Sequence, residues 1–493
     1  MGFRFDSFSD PQKYGKVIYK PMEKSKIVIS GAGLTGSLLA LLLGQRGYDV
    51  TILERRPDTR SNTEDSGRSI NLALSSRGIH ALKMAGLMDQ VGQLLIPMSG
   101  RMLHFESGRS ELMPYGQRDH EVIYSVSRRD LNAMTLNAAV AASKVDVKFL
   151  QKVSKVDLAN NQIVVEDIPT GQSRVENFDL LIGADGAGSR TRRSLIPFVN
   201  GKSTSEFLDH DYKELEIPAA TNGKYQIEKQ ALHIWPRGGY MLIALPNQDG
   251  SFTVTLFLPK SGPDGFSQLE SSKDVQHFFE ANFPSAIRLI PDLIQDYFDN
   301  AQGKLGTLRC SPWFYQDSCV ILGDAAHAIV PFHGQGMNAG FEDCSELIRL
   351  LNHYHDDWKS TLQEFDRIRK PNADAIAEMA LENYVTMRES VADPKFQLKK
   401  EIGFRLETRF PDRFVPRYSL VMFHRVPYAT AYRRGKIQQQ ILSSLADEIE
   451  SVNDVDFSRA EILVHENLST LIAGPDGVWV DEESRQNCQL KPL

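Results

Sequence analysis

Two glycine-rich turns, each entered from a short apolar run, are the stretches of this 493-residue chain best suited to chemistry. The first is Gly31-Ala32-Gly33-Leu34-Thr35-Gly36. It follows the strand-like Lys26–Ser30 and opens into an apolar helix over Ser37–Arg46, with Gly47 as its C-cap. A second strand, Val50–Leu53, ends at Glu54. Gly31 permits a tight turn, Gly33 lets backbone approach a pyrophosphate, and Gly36 lets helix and strand pack closely. Glu54, about 20 residues on, suits a ribose diol. A bare G-x-G-x-x-G is a weak signal, but strand, helix and terminal acid together form a dinucleotide fingerprint.

The second stretch is Gly323–Asp343, reached from the apolar run Cys319–Leu322. Its middle, Pro331–Asn338, contains Gly334 and Gly336, so its backbone can pass close to a flat ligand. A helix opening near Met337 aims unpaired N–H groups and its positive dipole end back toward that ligand. Asp324 offers a carboxylate to sugar hydroxyls at the end of a strand. The two stretches read as the halves of one flavin site.

Other candidates carry two readings each. Arg101 and Tyr115 lie on strand-like segments, where an arginine is ordinarily a surface residue. The same pair can instead grip a carboxylate, by two parallel bonds from the guanidinium and one from the phenol. Arg55 and Arg56 suit an adenosine phosphate or solvent. Arg128, ahead of the helix Asp130–Ala142, suits a phosphate or a helix flank. Asn383 and Met387 share a face of a helix over Asn372–Glu389, where a methionine more often fills core. Tyr418 is the polar handle of the otherwise core-like Phe414–His424. His327 and His333 read as structural or loop residues rather than acid–base groups.

These residues need elements to position them. The length suggests two or three domain-sized units. Composition is that of a soluble globular protein, and a net charge of −7 argues against a nucleic-acid surface. Cys310, Cys319, Cys344 and Cys488 form no CxxC pair and no metal-ligand spacing. They read as reduced thiols of a cytoplasmic protein, and no metal is expected. No run of about 18 apolar residues suggests a membrane span. Gly67–Gly78 reads as a loop leading into a helix over Ser76–Ala85, and Val145–Val165 as two strands. Asp179–Ile182 is a buried strand before the turn Gly183-Ala184-Asp185-Gly186. Between Arg193 and Arg309 the pattern alternates, predicting antiparallel strands at Leu232–Trp235, Tyr240–Leu245 and Phe252–Phe257, and a helix at Lys273–Asn282. Beyond Glu346 the chain reads as mostly helical, and Asp447–Leu493 as amphipathic or loop-like.

GAGLTG, GADG (183–186) and GDAAH (323–327), in this order, resemble the class A flavoprotein aromatic hydroxylases, the p-hydroxybenzoate hydroxylase type. Longer strings look like the members of that class acting on L-kynurenine. They are GRSINLALS (67–75), IPM (96–98) with Arg101, PYG (114–116), SVSR (125–128), HIWPR (233–237), IALPN (243–247), LGDAAHAIVPFHGQGMNAGFEDC (322–344) and NYVTMR (383–388). The resemblance covers Lys26 to Tyr432 and implies an α/β fold: a Rossmann-like FAD-binding domain, an inserted antiparallel-sheet substrate domain and a C-terminal helical region. The corresponding division is a tail at 1–21, an FAD domain from 22–192 and 310–370, a sheet domain at 193–309 and helices at 371–493.

By resemblance, FAD contacts Gly31, Gly33, Thr35 and Gly36, then Leu53, Glu54, Arg55 and Arg56. It also contacts Ala73, Arg128, Val153, Asp324, Gly336, Met337 and Asn338. The substrate carboxylate falls to Arg101 and Tyr115, with Asn383 and Tyr418 nearby and Phe332, Met387, Leu232 and Ile243 as apolar wall. The implied reaction uses NADPH and O2, runs through a flavin hydroperoxide and needs no catalytic side chain. The chain departs from the membrane-bound members in lacking a C-terminal apolar anchor, and Thr386 stands where some members carry an acid. Two rivals stay open: the same chemistry on another aromatic amine or a phenol, and a non-catalytic flavoprotein. No motif marks an oligomeric interface.

Overall fold

The computed structural model describes residues 26–58, 60, 71–142, 144–388, 393–447, 449–473 and 479–481. The expected tail 1–21, the start of the Gly67–Gly78 loop and Cys488 lie outside them. Ile27–Ser30 is buried throughout, as expected for the centre of a parallel sheet covered on both faces. Its neighbours are Val50–Leu53 and Leu180–Gly183, flanked by Val145–Lys148 and Cys319–Ile321, with Phe314–Tyr315 as an antiparallel edge. Helix Leu34–Gln45 is apolar nearly all round because sheet and helices enclose it; Leu38, Leu39, Leu42 and Leu43 are buried. Each such side chain contributes about 1.5–3 kcal/mol of burial.

A seven-stranded sheet forms the second layer, in the order Gly303–Ser311, Lys202–Ile217, Phe252–Pro259, Met241–Pro246, Ala231–Pro236, Gly100–His104, Ser110–Pro114. The expected hairpin across Pro236–Gly239 is present. The sheet is not built from one contiguous stretch. Gly100–His104 joins it by parallel pairing with Ala231–Pro236, placing Arg101 opposite Leu232.

Several local expectations are corrected. Asn71–Leu74 is not loop but a strand, paired antiparallel with Ile123–Ser127, which gives its backbone groups partners. The region expected to hold two strands holds three, Val145–Lys148, Gln151–Asp157 and Gln162–Asp167, because the first belongs to the parallel sheet and the others form a hairpin. The first helix begins at Leu34 rather than Ser37, with Gly33 as its N-cap. The helix expected from Asn372 runs Trp358–Arg388, straight through Pro371. Burial of Trp358, Leu362, Phe365, Ala373 and Ile376 along one stripe outweighs the hydrogen bond that proline removes. Helices Pro394–Arg409, Arg417–Met422, Tyr428–Ala446 and Phe457–Asn467, and the short pair Leu471–Ala473 with Trp479–Asp481, complete the C-terminal part among the described residues. Among the described residues no helix is long and apolar enough to cross a membrane.

Candidate active site

A cavity of about 770 Å³ runs between the two large sheets. At one end the N-terminus of helix Leu34–Gln45 opens into it without a side-chain cap and without an acid in its first turn, so its N–H groups stay available to an anion. A side chain built on Gly33 would meet nothing within 4 Å, so the backbone here faces open space. Gly31 holds φ +104°, and a Cβ on it would sit 2.6 Å from the Ala184 carbonyl oxygen. Thr35, Leu53, Arg55, Arg56, Arg128 and Val153 line this end.

Glu54 also lines it and is buried; its Oε2 accepts from Ala32 N at 2.8 Å and its Oε1 from Arg56 N at 2.9 Å. Burial alone would raise its carboxyl, but the Arg56 guanidinium and the two N–H donors hold it below the usual range. An ionised acceptor suits hydroxyl donors. Gly36 is not in the cavity wall; a Cβ there would overlap the Gly31 carbonyl oxygen. Gly36→Val is therefore expected to displace the turn and abolish FAD retention, read as loss of the visible flavin spectrum on gel filtration. A variant that stays yellow would show the turn can shift.

At the middle of the cavity Asp324 is exposed to it, with no partner among the described residues. Helix Gly336–His353 begins beside it, again uncapped by any side chain and without an acid in its first turn. Gly336 and Met337 line the cavity with Ala73. Asn338 does not; fully buried, it ties two elements together. Its Nδ2 donates to Ala73 O and Gly334 O, both at 2.8 Å, and its Oδ1 accepts from Ser75 N at 2.9 Å.

Behind this loop lies a buried ionic chain. Arg77 donates to Glu342 at 2.9 Å, and Arg369 to Glu342 at 2.6 Å and to Asp343 at 2.8 Å. Asp343 in turn holds His327 Nε2 at 2.6 Å and Gly323 N at 2.8 Å. His327 is thus engaged away from the cavity, as expected of a structural residue. The turn at Asp185 likewise has a support role: its carboxylate accepts from Arg190 N at 2.8 Å and Thr191 N at 3.2 Å, at the start of helix Arg190–Phe198, which Ser189 caps.

The far end is a chamber over the seven-stranded sheet. Arg101 is buried and its Nε has no hydrogen-bond partner; the buried Tyr115 hydroxyl makes no well-formed hydrogen bond either. The Tyr115 and Tyr418 rings stack at 5.2 Å, and the Arg101 guanidinium lies 5.2 Å from the Tyr418 ring centre. Burial pushes both phenols up, against the pull of Arg101, so they remain neutral O–H donors. Leu232, Ile243, Phe332 and Met387 form the wall. Asn383 is turned from it, with Nδ2 donating to Phe332 O at 2.6 Å and toward Met387 Sδ at 3.4 Å.

Sequence reasoning missed Thr253, Thr255 and Phe257, which line the chamber from one strand. Their i, i+2, i+4 spacing was a usable signal once the strand was assigned to this sheet. His333 was set aside but lines the cavity, its Nδ1 buried and unpartnered. Burial pushes its ring down to about 3, with Arg417 and Arg101 acting the same way, so it is neutral.

Two uncapped helix N-termini, carboxylates at Glu54 and Asp324, and open space over Gly33 fit a group with a pyrophosphate between hydroxylated arms and a flat ring system, which is FAD. Residues 24–380 match the family model of an FAD-binding domain. The fold is similar to 2-methyl-3-hydroxypyridine-5-carboxylic acid oxygenase, with TM-score 0.61, 20% identity and coverage of 78% of this chain and 98% of that one. It is also similar to Pseudomonas aeruginosa PqsL in complex with 2-aminobenzoylacetate, with TM-score 0.60, 19% identity and coverage of 74% and 97%. In sequence it is 47% identical to kynurenine 3-monooxygenase of Myxococcus xanthus over 446 residues, 90% of this chain and 96% of that protein. The enzymes of the same name from Stenotrophomonas maltophilia and Legionella pneumophila are 45% and 41% identical, over 90% and 89% of this chain and 97% of each relative. At such identity over nine-tenths of its length, the chain belongs to the kynurenine 3-monooxygenase family of FAD-dependent monooxygenases.

Proposed function

We propose that this protein hydroxylates L-kynurenine to 3-hydroxy-L-kynurenine in the cytoplasm, with FAD as cofactor and NADPH and O2 as co-substrates. Beside the family membership, one observation carries the reading: a buried arginine, a buried phenol at Tyr115 and the half-buried phenol of Tyr418 converge on an apolar chamber, with no carboxylate paired to that arginine among the described residues. An aromatic amino acid supplies what is missing, a carboxylate for the polar corner and a ring for the wall.

FAD would be held by the turns at Gly31–Gly36 and Asp324–Met337, with Glu54 and Arg128 at its sugar and phosphate groups. Bound there, it supplies the acceptance of reducing equivalents from NADPH and the activation of O2. The protein contributes position and environment. Arg101 donates to the substrate carboxylate while Tyr115 and Tyr418 add O–H donors, so that one end of the substrate fixes the ring at the other. Leu232, Ile243, Phe332 and Met387 exclude water from that ring. Asn383 supports the wall by holding the Phe332 carbonyl. The N-terminus of helix Gly336–His353 favours negative charge on a ring lying against it. Neutral His333 offers no proton at working pH, and the substrate's own ring amine already activates the carbon beside it.

The test is NADPH oxidation by the purified protein, with and without L-kynurenine, with H2O2 trapped and product identified. Stimulated oxidation with hydroxylated product and little H2O2 is expected. Stimulation with stoichiometric H2O2 would make L-kynurenine an effector only, and no stimulation would sink the assignment.

A further inference from the structure

Lys400 lies on helix Pro394–Arg409, outside the cavity wall, and its ammonium donates to the Pro114 carbonyl oxygen at 2.8 Å. Pro114 ends the strand that pairs with Gly100–His104 and immediately precedes Tyr115. Lys400 therefore grips the backbone at the point where Tyr115 leaves the sheet. The same helix grips the segment beyond it, where Glu407 accepts from Gln117 Nε2 at 2.8 Å and from Arg118 at 3.2 Å.

The half-buried Lys400 has no acid partner among the described residues. On its own helix Glu401 lies 3.8 Å from Arg405, while Glu407 shares Arg118 with Glu121. The charge acting on Lys400 is Arg101, from the neighbouring strand, and it repels. Two cations thus stand at the anchor of Tyr115, Lys400 on the Pro114 carbonyl and Arg101 5.7 Å from the Tyr115 ring centre.

We propose that Lys400 is a positioning residue of the carboxylate clamp, fixing Tyr115 through the Pro114 carbonyl and setting, by its charge, how tightly a substrate carboxylate is held. This rests on the reading of Arg101, Tyr115 and Tyr418 as that clamp. Burial, reinforced by Arg101, pushes the Lys400 ammonium down to about 7. Its neighbours keep their charge near that pH. Tyr115 and Tyr418 are pushed up, while His333 and His424 are pushed down by burial. A bound carboxylate raises the Lys400 pKa, so binding above about pH 7 takes up a proton. Affinity for L-kynurenine is therefore flat below that pH and falls as pH rises, by up to about tenfold per unit, until the pKa of the complex is passed.

The experiment measures binding to the FAD-loaded protein from about pH 6 to 9 by perturbation of the flavin spectrum, for L-kynurenine and its decarboxylated analogue. The wild type is compared with Lys400→Gln, Lys400→Arg and Arg101→Ala. Lys400→Gln is expected to weaken L-kynurenine about tenfold at pH 6, flatten the pH profile and leave the analogue unchanged. Lys400→Arg, which does not titrate, should keep tight binding through pH 9. Equal weakening of both ligands in Lys400→Gln, or a wild-type alkaline loss retained in Lys400→Arg, overturns the proposal. The arginine variant decides alone if the glutamine variant does not fold. If Arg101→Ala also binds L-kynurenine normally, the clamp reading itself fails, an outcome distinct from failure of Lys400.

Discussion

Arg101→Ala is expected to raise KM for L-kynurenine on the order of 100-fold while the protein remains yellow. The substitution removes a fork of N–H donors that nothing else in the chamber replaces, and leaves the incoming carboxylate to desolvate against Tyr115 and Tyr418 alone. Losing one partner of a buried charge pair costs roughly 2–5 kcal/mol, which brackets that factor. FAD should be retained because Arg101 belongs to the seven-stranded sheet and is not part of either glycine-rich stretch. Arg101→Lys should recover only part of the loss, since an ammonium provides charge without the planar fork. Steady-state kinetics with flavin content measured in parallel checks this. An unchanged KM would remove Arg101 from the substrate site, and loss of flavin would recast it as a structural residue.

Breaking the ionic chain behind the cofactor loop should have the largest effect on stability. Arg369 bridges Glu342 and Asp343 with all three side chains buried. Arg369→Met roughly keeps the volume but removes the guanidinium that pairs with both carboxylates, at an expected cost of about 3–5 kcal/mol. Because Asp343 also holds Gly323 N, FAD affinity should fall with stability. Denaturant titration and flavin release measure the two. Loss of less than about 1 kcal/mol, with FAD still tight, would show that the loop stands without this support. The chain also predicts a pH response. Burial raises the Glu342 and Asp343 carboxyls, yet Arg369 and its companions hold both below their ordinary range. Their contribution is therefore present above about pH 4 and is lost as pH falls below it. Wild type should lose more stability on acidification than Arg369→Met.

The turn Gly31–Gly36 with Glu54, the Gly323–Asp343 loop and the three strands around Pro236–Gly239 were legible because each is local. A glycine at a required φ, an acid at a strand end and period-two alternation declare themselves within a few residues. Local pattern also misled. The long helix read as starting only at Asn372, and Asn71–Leu74 as loop, because the packing that carries the helix through Pro371 and the strand that pairs with Asn71–Leu74 lie outside any window of ten residues.

By itself, then, the sequence determined the glycine-rich turns, the alternation of the second sheet and the kinship from which the candidate substrate side chains are proposed. Only the tertiary structure decided that Gly100–His104 crosses to pair with Ala231–Pro236, bringing Arg101 beside Tyr418. It alone decided that Asn383 faces the Phe332 carbonyl and that Lys400 grips Pro114. Such pairings join residues far apart in the chain, and they are chosen by which apolar faces must be buried together, a property no single stretch of sequence contains.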